Sequence, residues 1–86
     1  VSFTTHLQRH LACDRLEVEG ETVREAFENV FQVHPDMRSY LLDDQGAVRQ
    51  HVMVFHDNTP IADRVSLSDP VRTTSKLFIM QALSGG

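Results

Sequence analysis

The residues able to bear chemistry in this sequence are few. His6, His10 and Cys13 stand close together near the start, and His51 precedes His56. None of their spacings matches a recognised zinc pattern, and positions 51 and 56 of one strand fall on opposite faces. Asp14 beside Cys13 discourages the thiolate that sulfur chemistry would need. No Ser–His–Asp set, glycine-rich phosphate loop or acid pair forms a site, which argues against a self-sufficient enzyme. The sequence closes instead on "ALSGG", residues 82–86, behind the apolar stretch "KLFIMQ". Gly85 and Gly86 give a fold nothing to pack and carry the largest conformational entropy of any residue type. Lacking Cβ atoms, they make a thread that another protein's cleft can close around, gripping amides and carbonyls. The plain alternative is a frayed end or a linker scar.

The bulk properties set the frame for that end. Eighty-six residues, 41% hydrophobic and 23% charged, suit one folded domain rather than a disordered chain. A formal net charge of −4 argues against nucleic acid as a partner, which would call for a basic face. The single cysteine cannot form an internal disulfide, and no stretch has the length of a membrane span, so a cytoplasmic domain without a membrane partner is expected.

The elements that must position the end follow from periodicity. "VSFTTHLQ" and "RLEVEG" alternate as two strands of a hairpin, with Cys13 in its turn and Leu16 and Val18 on one face. "ETVREAFENVFQVHP" predicts a helix. Thr22 and Glu25 fit a capping box, Val23, Ala26, Phe27, Val30 and Phe31 share one stripe, and Pro35 ends it near His34. Tyr40 to Leu42 reads as a short strand, Asp43-Asp44-Gln45-Gly46 as a turn, and Val48 to His56 as a long strand. Pro60 and Pro70 forbid a central strand between 57 and 75, and "KLFIMQA" is a final strand. Glu17, Glu19 and Glu21 read as a solvated edge that blunts strand pairing. The expected domain runs over residues 1–82, with a flexible tail at 83–86.

Alternation also implies a surface. With Val52 and Val54 turned to the helix, His51, Met53 and Phe55 face outward; with Leu77 and Ile79 inward, Phe78 and Met80 face outward. If those strands are neighbours, Met53, Phe55, Phe78 and Met80 form one apolar patch near the root of the tail, of the kind that marks a partner site. The alternative is a second small core, with loop 57–75 laid over these residues.

Strand, strand, helix and two further strands, with first and last side by side, give an α+β class of β-grasp (ubiquitin-like) type: a mixed sheet of four to five strands under one main helix. "GETVREAFENV", "LLDDQGAVRQHVMVFHDNTPI" and "LFIMQALSGG" together resemble the MoaD/ThiS family of ubiquitin-like sulfur carriers, over nearly the whole chain. The layout before "AVRQHVMVF" is similar to the longer branch that includes a carrier of cysteine biosynthesis. Asp57-Asn58-Thr59-Pro60 and Thr74-Ser75-Lys76 depart from the family pattern, and Lys76 reverses a charge near the expected partner surface.

That resemblance implies a mechanism. The Gly86 carboxylate is a poor electrophile; adenylation by an ATP- and Mg-using enzyme gives it a good leaving group. A sulfur nucleophile from a persulfide donor can then leave a thiocarboxylate on Gly86, for delivery to a sulfur-accepting synthase. The implied carrier binds no cofactor and no metal itself, and is a substrate of its partner rather than an enzyme. Leu83, Ser84 and Gly85 would form the threading arm, reaching up to ~13–14 Å past the last strand with Gly86. The patch residues would dock the activating enzyme. A pterin, a thiazole precursor or an activated serine are all compatible acceptors, as in molybdopterin, thiamine or cysteine biosynthesis. A protein modifier joined to lysines through Gly86, and a β-grasp interaction domain with an incidental tail, remain alternatives.

Overall fold

The structure, a computed structural model, describes residues 1–6 and 15–81. Strand β1 (Ser2–His6) buries Phe3, with Val1 packed just ahead of it, and pairs antiparallel with β2 (Arg15–Glu17), setting Phe3 opposite Leu16. The turn assigned to this hairpin, Cys13 included, lies outside the described residues.

Helix α1 spans Val23–Val33 and buries Val23, Ala26, Phe27, Val30 and Phe31, the expected stripe. Complete burial of its two valines and two phenylalanines is worth about 6–12 kcal/mol before chain entropy, as an upper estimate. Phe27 makes edge-to-face contacts with Phe3 at 5.6 Å and Phe31 at 5.9 Å, joining the helix to the sheet beneath it. At the start, Thr22 Oγ1 accepts the Glu25 amide at 3.2 Å. The Glu25 carboxylate, however, accepts the amide of Glu21 at 3.0 Å rather than that of Thr22, so the reciprocal half of the expected box sits one residue earlier.

A second helix, α2 (Asp36–Leu41), occupies part of the stretch expected as the strand Tyr40–Leu42. Pro35 explains the correction. It ends α1, yet its fixed φ is itself helical and opens the next turn. Met37 and Leu41, one helical turn apart, are then both buried.

The long strand expected over 48–56 is also shorter. Val48 is buried and forms an isolated bridge with Leu42, a turn follows, and β3 covers only Val52–His56. Unbroken alternation would put Gln50 on the core side with Val48 and Val52; the turn leaves Gln50 exposed. The Asp43–Gly46 turn forms as expected. Asp43 Oδ1 accepts the amides of Gln45 and Ala47, and Gly46 takes a φ of 84°.

After β3, Asp57 and Asn58 both adopt positive φ, 51° and 73°, and reverse the chain into the edge strand β4 (Thr59–Pro60). Mirror-image hairpin turns need this geometry, and Asp and Asn tolerate it. Residues 61–71 then return to the helix side. The carbonyls of Asp69 and Leu67 accept the Val23 and Arg24 amides at the start of α1, and Ile61, Leu67 and Val71 join the one buried cluster. Strand β5 (Lys76–Gln81) completes a sheet of order β2-β1-β5-β3-β4, parallel between β1 and β5 and antiparallel elsewhere.

Candidate functional site

The two inner strands put alternate residues on opposite faces, and their register decides which meet. Val54 is opposite Ile79 on the buried side. On the other side Met53 is opposite Met80, and Phe55 is opposite Phe78. The four residues expected to form a patch are thus adjacent in one face of the sheet. Phe78 is 38% exposed and the other three are half-buried. Loop 57–75 does not lay a second core over them. Its buried apolar residues belong to the core between sheet and helices.

Lateral rows extend the patch. Arg15, Thr4, Phe78, Phe55 and Pro60 are successive partners across the sheet, and Glu17, Ser2 and Lys76 form the next row. The apolar centre therefore borders exposed charges on the side away from the end of β5. Lys76 keeps its place through the turn: its amide donates to Asp57 Oδ1 and its carbonyl accepts the Asp57 amide, both at 2.9 Å. Leu83, Ser84, Gly85 and Gly86 lie outside the described residues, as does His10.

One constellation escaped sequence reasoning. His56 Nε2 lies 2.8 Å from Ser75 Oγ and 3.4 Å from Asp57 Oδ2. It does not make a nucleophilic relay, because one ring nitrogen faces both partners, whereas a relay needs the acid on the other nitrogen. Ser75 is buried, and its hydroxyl also accepts the Arg72 amide at 2.8 Å. The trio ties the end of β3 to the start of β5. No spacing in the sequence signals it, because its members meet only through strand pairing. Among the described residues, no group of three or more His, Cys, Asp or Glu side chains could hold a metal ion.

The loop that caps α1 has its own electrostatic lock. Asp63 accepts the Ser68 hydroxyl at 2.5 Å and the amides of Ser66, Val65 and Ser68. These bonds, the Ser68 hydroxyl foremost and the Ser66 amide next, hold its carboxyl at about 2, below the ordinary 3.8. Leu67, next in the loop, is fully buried at a positive φ of 54°, a strained conformation held by its neighbours.

Similar architectures exist among solved structures. SAMP1 from Haloferax volcanii matches with a TM-score of 0.72 and 25% identity, covering 100% of each chain. The small archaeal modifier protein 1 from Methanosarcina acetivorans matches at 0.75 and 15% identity, covering 99% of this chain and 96% of that one. The fold is the ubiquitin-like β-grasp. A third match, the Amycolatopsis orientalis BexX/CysO complex, has a TM-score of 0.74 and 22% identity, over 85% of this chain and 81% of its counterpart. These neighbours are consistent with the MoaD/ThiS-like resemblance of the sequence. No family model matches the β-grasp chain, and no curated protein matches it in sequence.

The β-grasp explains which parts can act. The core takes up one face of the sheet and the apolar face of α1, so Met53, Phe55, Phe78 and Met80 lie on the opposite face of the sheet. Among the described residues, no helix is long and apolar enough to cross a membrane.

Proposed function

We propose that this β-grasp domain is a carrier whose Gly86 carboxylate is activated by an ATP-dependent adenylating enzyme. The observation that carries this is the match to SAMP1 of Haloferax volcanii over the full length of both chains. The open-face patch, which includes Phe78 and Met80 of the last strand, adds a docking surface of suitable kind.

In the proposed reaction the carboxylate attacks the α-phosphorus of ATP and pyrophosphate leaves. Hydrosulfide then attacks the acyl carbon, AMP departs, and a thiocarboxylate and a proton remain. A persulfide donor gives an acyl disulfide instead, which a thiol reduces to the same product. Mg²⁺ and the phosphate clamp belong to the enzyme. The carrier contributes a narrow terminus and a docking surface at Met53, Phe55, Phe78 and Met80. A synthase receives the sulfur.

A second reading has its own support. The archaeal neighbours are named modifier proteins, which favours attachment of Gly86 to lysines of target proteins. Activation is common to both; the fate of the acyl group differs. ATP–pyrophosphate exchange with an adenylating enzyme from the same host tests the shared step. Exchange should depend on the carrier and vanish when Gly85 and Gly86 are deleted. Exchange that survives the deletion would refute both readings, and lysine adducts in host lysates would select the modifier.

A further inference from the structure

Among the described residues, the pairing of β5 runs out at nearly the same place on both sides. Its last partner in β1 is His6, opposite Met80; its last partner in β3 is Val52, opposite Gln81. At that point a side chain from outside the sheet takes over. The Tyr40 hydroxyl donates to Gln81 Oε1 at 3.2 Å, a partly buried contact across 41 residues of sequence.

Tyr40 is there because α2 is there. Met37 and Leu41 fix one face of the helix in the core, and Tyr40 packs against the same cluster. The far end is tied as well, since the Leu41 carbonyl accepts the Arg49 amide at 3.0 Å and Arg49 Nε donates to the Ser39 carbonyl at 2.9 Å. The turn after Arg49 in turn sets Val52, the residue opposite Gln81. One rigid unit, α2 with the 49–52 turn, therefore grips Gln81 from the side chain and from the backbone.

We propose that Tyr40 is a positioning residue for the activation of Gly86, acting through Gln81. This rests on the carrier reading above. A terminus that must enter a partner's cleft while the patch docks gains from a fixed point of departure, because each loosely held residue must be ordered again on binding. Holding Gln81 moves that cost into folding. Tyr40 touches no reacting atom.

The test uses the full chain with Tyr40→Phe, which keeps the ring and removes the hydroxyl, and with Gln81→Leu. In ATP–pyrophosphate exchange with the adenylating enzyme, each variant should raise the KM for the carrier about fivefold with kcat unchanged, the size of one hydrogen bond. Tyr40→Phe should add nothing in the Gln81→Leu background, since the hydroxyl then has no amide oxygen to meet. Backbone 15N relaxation of the free protein should show a lower order parameter at Gln81 in Tyr40→Phe, with the order parameters of α1 unchanged. An unchanged KM, an additive double variant or an unchanged order parameter at Gln81 overturns the proposal. If exchange with the wild-type chain still requires Gly86, the carrier reading stands without it. If the wild-type chain supports no exchange, both fall.

Discussion

Phe55 and Phe78 face each other across the β3–β5 ladder, and the residues directly behind them, Val54 and Ile79, face each other in the core. One strand pair thus separates two tasks. Ile79→Ala should cost about 2–5 kcal/mol in urea unfolding, because it leaves a cavity at a fully buried site. Phe78→Ser should cost about 1 kcal/mol or less, the scale of a cross-strand pair. The pair Phe55→Ser and Phe78→Ser should nevertheless weaken binding to the adenylating enzyme at least about tenfold by calorimetry. Wild-type affinity in that double variant would remove the open face from the docking surface.

Much of this division was legible before the fold was known. Strict alternation in "VMVFH" and "KLFIM" gave faces, and the β-grasp order made the strands neighbours. The helix stripe from Val23 to Phe31 was equally plain, because five apolar residues repeat at helical spacing. Local signals failed where two structures share one pattern. Val48, Val52 and Val54 continue a strand period through Gln50, and only the three-dimensional cost of burying its amide breaks it. Tyr40-Leu41-Leu42 looks like a strand, but Met37 and Leu41 fit a helix better once Pro35 has set the first turn. The His56–Ser75 contact depends on the register of two strands and has no local signature.

The α2 correction carries a stability consequence. Met37 and Leu41 are almost completely buried, so either residue changed to Ala should cost about 2–5 kcal/mol in chemical denaturation. A cost below about 1 kcal/mol at both sites would mean that α2 does not pack as described.

Gly20 closes against the helix so tightly that a Cβ there would meet the Ala26 backbone nitrogen at 2.7 Å. Gly20→Ala should lower stability by about 1–3 kcal/mol, since backbone rather than a flexible side chain must move. Thermal unfolding monitored by circular dichroism reads this directly; an unchanged Tm would contradict the contact.

Asp63 gives the pH dependence. Its folded pKa, about 2, lies below the ordinary 3.8, so the protein favours the ionised form. The stability it contributes is complete above the ordinary value and is lost as pH falls through the folded value. Guanidinium unfolding should show a gap between wild type and Asp63→Asn at about pH 7 that narrows by about pH 2. A gap of constant size would mean that the Ser68 and Ser66 bonds do not depend on the charge.

The most direct measurement is intact mass spectrometry of the chain after incubation with the adenylating enzyme, ATP, Mg²⁺ and a sulfide or persulfide source. A carrier should gain the mass of one oxygen-to-sulfur exchange, localised to Gly86 by fragmentation and sharply reduced in Gly86→Ala. An unchanged mass beside an enzyme shown to be active on another carrier would contradict the role assigned to this terminus.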